Sequence, residues 1–401
     1  MARLVIGVLV SIAFLVSLLL ATRTEAIPTF ARKYKTSCST CHYAYPRLNN
    51  FGKAFRNNGL RYPGDDKDFA KEEAVSLGSE GQKKAFPDAI WPADIPGLPV
   101  ISFRWISRMH YEPSKKGEEF KFENPHELEA FMAGTIGEDL SFFFELEWEH
   151  AGEFGYGGFL DYKFSDPFHV RLGNLEPAPI RDGERLTREH YNYGSFLDID
   201  ASGMEFWGAV NGAGDKGGFV YAAGLFNGEN DGEDNVDLNA AKDVFAKVSY
   251  KIGGMGVLSS TTASQTSAFW RDNSLTIGGF GHGGKNDDWS KNRNFGGNLD
   301  VFYEDLNVFG LYMVSQVKAP DTTGWVDTKR AFVEADYVVF PWLIPLARFE
   351  YTEPEGGPVK RQVVPAIVVM ARANVKLIPT ARLDLKDSDV NRYNLQIEVG
   401  F

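Results

Sequence analysis

Residues 393–401 alternate between apolar side chains and polar or small ones, and this pattern limits what the chain can fold into. The apolar positions are Tyr393, Leu395, Ile397, Val399 and the terminal Phe401. Successive side chains of a β-strand point to opposite faces, so a period of two predicts a strand with one apolar face. A last strand of this kind is typical of outer-membrane barrels, but a half-buried strand at the edge of a soluble sheet alternates in the same way.

The same alternation recurs along the chain and predicts a mainly β fold. It predicts about 16 strands, near residues 100–111, 127–136, 139–149, 157–165, 168–176, 202–211, 217–227, 242–252, 273–283, 293–304, 306–316, 329–339, 342–352, 361–373, 375–386 and 391–401. An even strand number of this size occurs in bacterial outer-membrane barrels. The predicted connections alternate between long and short, except that 253–272 is long where a short turn is expected.

The polar faces of the strands separate a barrel from its alternative, a soluble β-sandwich or β-helix. Glu145, Glu147 and Glu149 lie on one face of one predicted strand. A water-filled lumen can hold three carboxylates, whereas a packed core cannot. Residues 100–401 are therefore predicted to form a porin-like transmembrane antiparallel β-barrel in outer-membrane lipid. The mean hydropathy of -0.26, without a second long apolar run, excludes helical membrane spans beyond residue 26.

The first 26 residues have the layout of a secretory signal peptide. Arg3 precedes an apolar run over residues 4–20, and Thr24-Glu25-Ala26 fits a small-x-small cleavage site. Cleavage there makes Ile27 the mature N-terminus and, with the barrel, predicts the outer membrane of a Gram-negative bacterium. The alternative is an uncleaved anchor, because the run approaches the shortest length of a membrane helix.

The pentad Cys38-Ser39-Thr40-Cys41-His42 carries the chemistry of the chain. C-x-x-C-H is the pattern of covalent c-type haem attachment, in which both thiols bind one haem and the histidine coordinates its iron. Cys38 and Cys41 are the only cysteines of the 401 residues. One alternative is half of a zinc site, but a second Cys/His pair at similar spacing is missing from the sequence. Another is a redox dithiol, which gives no reason for His42.

The segment around the pentad, residues 27–63, differs in charge from the rest of the chain. It contains seven basic residues and no acidic one, while residues 64–401 contain 33 basic and 53 acidic residues. This asymmetry predicts that the segment docks against the acidic body as a haem plug in the barrel lumen. A segment this short cannot form a core of its own. Residues 64–99 are assigned as a linker.

A short helix is predicted after the pentad. Leu48, Phe51 and Phe55 follow a helical spacing, with Pro46 suited to the first turn and Gly59 to the stop. Together with Phe30, these three side chains are predicted to pack against the haem. The alternative is that they pack against the barrel wall.

The segment lacks a sixth ligand for the iron, since neither Met nor His occurs between His42 and Met109. The alternation on the first strand directs His110 inward and Met109 outward, which favours His110 as the distal ligand. His169, beside Arg171, is the second candidate. The alternative for each histidine is an ordinary polar residue lining the lumen.

The N-terminal residues resemble a known family. Ala26-Ile27-Pro28-Thr29-Phe30-Ala31-Arg32, followed by the pentad, is similar to the start of the fused monohaem cytochrome–porins of iron-oxidising bacteria. The family pattern is A-x-P-x-F-A-R-x-T-x-x-x-C-x-x-C-H, and this chain departs from it at Tyr34, where threonine is expected. The close match covers about residues 27–63, while the barrel agrees in architecture only.

The resemblance implies one haem c, oxidation of Fe(II) at the cell surface and transfer of the electron inward to a periplasmic cytochrome or cupredoxin. That activity is electron transfer of the iron(II):cytochrome c oxidoreductase type. Because Tyr34 departs from the pattern, other donors and outward electron flow stay open.

Two further functions stay open on the sequence. One is a diffusion porin whose haem is structural or regulatory, and the other is a haem-dependent peroxidase. The sequence has no convincing Ser/His/Asp triad, phosphate loop or nucleic-acid-binding motif, so neither catalytic side chains, a second metal site nor a nucleic-acid partner is predicted.

Overall fold

The computed structural model describes residues 29–63, 81, 84–85, 87–88, 101–117, 119–136, 139–149, 152, 154–175, 185–187, 201–227, 241–259, 268–285, 290–386 and 390–401. The predicted signal peptide, residues 1–26, and almost all of the predicted linker, residues 64–99, lie outside these ranges. Among the described residues, no helix has the length and apolar character needed to cross a bilayer.

Short elements make up the N-terminal segment, residues 29–63. Helix α1 (Thr29–Lys33) is followed by a 3₁₀ turn (Cys38–Thr40), by the two-stranded sheet of β1 (His42–Ala44) and β2 (Arg47–Leu48), and by helix α2 (Asn50–Asn57). The pentad thus spans the 3₁₀ turn and the first residue of β1.

Sixteen strands form a closed barrel in which all neighbours are antiparallel, and β18 closes on β3. They are β3 (Ile101–Tyr111), β4 (Phe120–Ile136), β5 (Leu140–Glu149), β6 (Phe154–Ser165), β7 (Phe168–Leu175), β8 (Ala201–Asn211), β9 (Lys216–Asn227), β10 (Lys242–Met255), β11 (Ser274–Lys285), β12 (Lys291–Tyr303), β13 (Leu306–Lys318), β14 (Val326–Tyr337), β15 (Leu343–Pro354), β16 (Lys360–Arg372), β17 (Val375–Asp384) and β18 (Val390–Gly400). The predicted 16-stranded barrel is confirmed.

The two faces of the barrel follow from the alternation of the strands. On β10, Val248 and Tyr250 point outward and are 52% and 53% exposed, while Lys247 and Ser249 are buried inside. Large apolar side chains are exposed in the same way on the outer face of most other strands. An apolar outer face and a polar inner face are the arrangement of barrels surrounded by lipid.

The two ends of the barrel differ in the length of their connections. At one end, hereafter the short-turn end, residues 166–167, 304–305 and 373–374 join neighbouring strands. The barrel also starts and finishes at this end, where Phe401 stacks on Phe103 with ring centroids 5.6 Å apart. Most of the longer connections lie at the opposite, long-loop end.

Strand β4 begins seven residues before its predicted start at residue 127. The sequence Asn124-Pro125 has the composition of a turn, but here it lies in a bulge. Ile106 pairs with Glu127 and Arg108 with Glu123, so residues 124–126 oppose Ser107 alone. A bulge tolerates proline because it does not require the missing backbone N–H.

The connection after β10 explains the long turn that the sequence left unassigned. Strand β10 continues to Met255, whose backbone N–H donates to Asp272 Oδ1 at 2.8 Å. Asn57 Nδ2 of the N-terminal segment donates to the Val257 carbonyl oxygen at 3.0 Å. The described parts of this connection therefore pack against the N-terminal segment.

Candidate cofactor site

The pentad forms one tight turn that joins the backbones of Cys38 and Cys41. The Cys41 N–H donates to the Cys38 carbonyl at 3.2 Å, and the Ser37 hydroxyl accepts from the Ser39 N–H at 3.3 Å. Both cysteines are half-buried, and no disulfide joins them. Both thiols are thus available for thioether bonds.

Asn49 fixes the pentad to the start of helix α2. Its side-chain amide donates to the carbonyl oxygens of Ser39 and Thr40 at 3.2 and 3.1 Å, and its Oδ1 accepts from the Gly52 N–H at 2.9 Å. Its backbone N–H donates to the Cys41 carbonyl at 2.9 Å. Sequence reasoning missed this role, although Asn immediately before an apolar helix is a recognisable N-cap signal.

Gly52 lets the pentad pack directly on helix α2. A Cβ atom at this position would lie 2.1 Å from the Cys41 carbonyl oxygen and 2.9 Å from Cδ2 of Leu48. Only a residue without a side chain allows this approach, because the nearest atom belongs to the backbone.

His42 is held in the state that coordinates a metal. Its Nδ1 donates to the Pro46 carbonyl oxygen at 3.1 Å, which leaves the lone pair of the neutral ring on Nε2. Burial lowers the pKa of His42 from 6.5 to about 4. A neutral imidazole with its other nitrogen bonded to a carbonyl is the usual form of a metal-ligating histidine. Cys38, Cys41 and His42 therefore fit a covalently bound haem.

We expect the docking of the N-terminal segment to weaken as the pH falls when haem is absent. The unfolded segment binds a proton on His42 below pH 6.5, but the folded one does so only near pH 4. Stability is therefore lost as the pH falls from about 6.5 to 4, by up to about 3 kcal/mol. Protease protection of residues 29–63, measured against pH in the Cys38→Ala/Cys41→Ala variant, checks this. The same background with His42→Gln should lose less protection over this range, and equal losses would contradict the expectation.

The two alternative chemistries of the pentad fit less well. Burial raises the pKa of the Cys38 thiol and raises that of Cys41 to about 12. Disulfide-exchanging thiols instead need a lowered pKa, because the thiolate is the reactive form. Across the described residues, the one cluster of three or more potential metal ligands is Glu127, Glu129 and Glu147, which excludes both cysteines.

Three of the four side chains predicted to pack against the haem, Phe30, Phe51 and Phe55, belong to an aromatic cluster beside the pentad, while Leu48 lies next to Gly52. Phe30 and Phe55 have ring centroids 4.9 Å apart, and Phe51 lies 4.9 Å from Tyr62. Tyr34, which departs from the family pattern, belongs to the same cluster. Its ring centroid lies 5.7 Å from that of Phe55, and its side chain is 5% exposed.

Helix α2 is shorter than its predicted extent. It begins at Asn50, so Leu48 belongs to β2 and Pro46 to the β1–β2 connection rather than to the first helical turn. Gly59 has φ +71°, as expected for the residue that follows a helix C-terminus.

Basic side chains of the N-terminal segment pair with an acidic residue of the barrel. Arg47 and Lys53 both contact Asp300, at 2.9 and 2.8 Å, and Arg47 also donates to Asn307 Oδ1 at 2.7 Å. Arg47 and Asp300 are almost completely buried, so removing Asp300 would take the shared carboxylate from both basic side chains, which is costly inside a protein.

Further contacts fasten the segment around the inner wall near the short-turn end. They are Thr29 to Ser102 at 2.9 Å, Lys33 to Thr135 at 2.7 Å, Asn58 to Lys163 at 2.6 Å, Tyr43 to Asp336 at 3.1 Å and the Tyr45 carbonyl to Lys376 at 2.7 Å. The partners belong to β3, β4, β6, β14 and β17, which are distributed around the barrel.

A second segment reaches the inner wall from the connection between β7 and β8. Arg348 donates to the Thr187 carbonyl at 3.0 Å, and the guanidinium of Arg185 lies 4.0 Å from the ring centroid of Phe309. Lys376, which bonds the Tyr45 carbonyl, is also 3.4 Å from the Leu186 carbonyl oxygen. Residues 185–187 therefore approach the N-terminal segment inside the barrel.

The two histidines considered as distal ligands occupy different ends of the barrel. His110 lies near the long-loop end, eight residues along β3 from Ser102, or about 26 Å. His169 lies at the short-turn end, where a Cβ atom at Gly59 would be 3.3 Å from its Cε1. The N-terminal segment thus contacts His169.

Solved structures with a similar fold are outer-membrane proteins. Trimeric OmpT of Vibrio cholerae aligns with a TM-score of 0.55 and 12% identity over 76% of this chain and 99% of its own. Salmonella typhi OmpF in complex with daunomycin gives 0.55 and 11% over 75% and 97%, and an anion-selective porin from Comamonas acidovorans gives 0.51 and 13% over 76% and 99%. No family model matches the chain, and no curated protein sequence matches it significantly. These likenesses show a porin fold.

Proposed function

We propose that this chain is an outer-membrane cytochrome–porin, in which residues 29–63 form a plug holding one covalent haem c inside the barrel. It would carry electrons between an extracellular donor and a periplasmic cytochrome or cupredoxin. The observation that supports this most is the His42 ring, held by Pro46 as a neutral ligand on a segment fastened to the inner wall. The resemblance of residues 27–63 to the cytochrome–porins of iron oxidisers makes Fe(II) the first donor to test.

The barrel itself supplies the membrane placement in this proposal. Its exposed apolar outer face suits the hydrocarbon layer, about 30 Å thick. Short turns face the periplasm in bacterial barrels, so the plug would lie in the periplasmic half of the lumen. Export also suits the pentad, because haem is joined to thiols outside the cytoplasm.

Each part of the site has a separate task. Haem c, when bound, supplies a centre that accepts and releases single electrons. Cys38 and Cys41 would hold it covalently, and the Nε2 lone pair of His42 would bind its iron. Asn49 keeps the pentad on helix α2, while the pairs of Arg47 and Lys53 with Asp300 position the plug in the barrel.

The direct test is to add Fe(II) to the purified, haem-loaded protein and to record the α and β absorption bands. Sharpened bands of reduced haem are expected within the time of mixing. Haem that stays oxidised would remove Fe(II) as the donor. A preparation without covalently bound haem would overturn the whole proposal.

The rival function is a diffusion porin with a structural haem, which the porin fold favours. Against it, the plug and residues 185–187 both contact the inner wall and approach each other at Lys376. Proteoliposomes are therefore expected to swell slowly in small sugars compared with vesicles that contain an open porin. Swelling as fast as that of the open porin would support the rival.

A further inference from the structure

His169 is held in a fixed orientation by neighbouring barrel residues. Its side chain is completely buried, and its Nδ1 donates to Asp161 Oδ1 at 3.0 Å. Asp161 in turn accepts from Trp207 Nε1 at 2.7 Å and from Arg171 Nε at 2.8 Å. The imidazole ring also packs on Trp207, with ring centroids 4.0 Å apart.

Among the described residues, the other ring nitrogen of His169, Nε2, has no hydrogen-bond partner. Because Nδ1 donates to Asp161, Nε2 is the ring atom that can offer a lone pair, and it is buried. A buried acceptor without a donor is unfavourable. A histidine whose Nδ1–H is held by a carboxylate, with Nε2 free, is the usual arrangement of a metal ligand.

The other described histidines of the barrel have both ring nitrogens near polar side chains. His110 has Glu123 at 3.7 Å and Glu112 at 3.8 Å, and His282 has Asp243 at 3.0 Å and Asn294 at 3.3 Å. His126 Nδ1 lies 2.8 Å from Glu123, although without the alignment of a hydrogen bond, and Arg108 lies at its Nε2. His150 and His190 fall outside the described residues.

The position of His169 also agrees with that of the plug. It pairs in the β-ladder with Lys163, whose Nζ donates to Asn58, and it contacts Gly59. Met313, a buried inward-facing methionine, lies six residues along β13 from Asn307, the residue of that strand that bonds Arg47. His169 thus contacts the segment that carries the pentad. The partly buried Met370 packs against a cluster that includes Tyr43 and Ala44 of the same segment, but among the described residues its thioether has no neighbour that fixes its orientation as Asp161 fixes His169.

We propose that Nε2 of His169 is the sixth ligand of the haem iron, opposite His42. This inference rests on the proposed function, because it requires the covalent haem. The barrel then completes the coordination of a cofactor attached to the plug, which links haem loading to docking of the plug.

The test compares the wild-type protein with His169→Ala, His169→Met and the control His110→Ala, using optical and electron paramagnetic resonance spectra of the oxidised proteins. The wild type and His110→Ala are expected to be six-coordinate and low-spin. His169→Ala should become high-spin and should return to low-spin when imidazole is added. His169→Met should stay low-spin with a sulfur-to-iron charge-transfer band, which covers the case in which the alanine variant fails to fold.

The outcomes separate this inference from the function on which it rests. Haem that stays low-spin in folded His169→Ala, or that becomes high-spin in Met313→Leu instead, would contradict His169 as the sixth ligand. Neither result would contradict the covalent attachment of haem. Absence of covalent haem from every variant and from the wild type would overturn both.

Discussion

Replacing Cys38 and Cys41 together with alanine is expected to give a barrel that still inserts into the outer membrane but carries no covalent haem. Cys38 begins the 3₁₀ turn of the plug and Cys41 directly follows it, so both residues lie apart from the β-ladder of the barrel. Their removal would abolish the proposed thioether bonds without changing the strands. Haem staining after denaturing electrophoresis measures the attachment, and the shift in mobility between heated and unheated samples measures barrel folding.

The matched control is Ser39→Ala/Thr40→Ala, which changes the two residues between the cysteines and keeps both thiols. Covalent haem should remain in this control because Asn49 bonds the carbonyl oxygens of residues 39 and 40, not their side chains. Haem that survives denaturation in the double-alanine variant would contradict the assignment of the pentad.

Gly52→Ala is expected to have the second-largest effect and to remove most of the covalent haem. The new Cβ would lie 2.1 Å from the Cys41 carbonyl oxygen, so the pentad must separate from helix α2. Overpacking of this kind costs about 1–3 kcal/mol, which is a large share of what can hold so short a segment in place. The plug should also become sensitive to protease, while the barrel should still change its electrophoretic mobility on heating as the wild type does.

Gly324→Ala is the control for this substitution, since no atom lies within 4 Å of the added Cβ. It should keep wild-type haem content and protease resistance. If Gly52→Ala bound haem as well as Gly324→Ala does, the close packing of the pentad on helix α2 would not matter for attachment.

The barrel could be predicted from the sequence because lipid on one side and water in the lumen on the other require apolar and polar residues to alternate. Glu145 and Glu147 lie on the inner side of β5, while Phe144 and Leu146 are exposed on its outer side, as the alternation requires. The same rule gave the strand number. It failed locally at Pro125, because a proline inside a strand and a proline in a turn have the same local sequence.

The contents of the lumen were harder to predict, since alternation shows which side chains point inward but not what they meet. The charge asymmetry predicted that the N-terminal segment docks on an acidic partner, yet it could not identify Asp300 as the residue between Arg47 and Lys53. Likewise, inward parity favoured His110 over Met109 as a ligand and left His169 as the second candidate. Parity could not show that the docked N-terminal segment contacts His169, because that contact depends on height along the strand and on the three-dimensional structure.

Electron transfer across a sealed bilayer tests the central proposal most directly. The purified protein is placed in proteoliposomes that contain oxidised cytochrome c, Fe(II) is added outside, and the absorbance of the trapped cytochrome is followed. Reduction of the internal cytochrome is expected with the haem-loaded protein and not with the Cys38→Ala/Cys41→Ala variant. An internal cytochrome that stays oxidised although the haem of the barrel becomes reduced, or one that is reduced equally by both proteins, would contradict transfer through this chain.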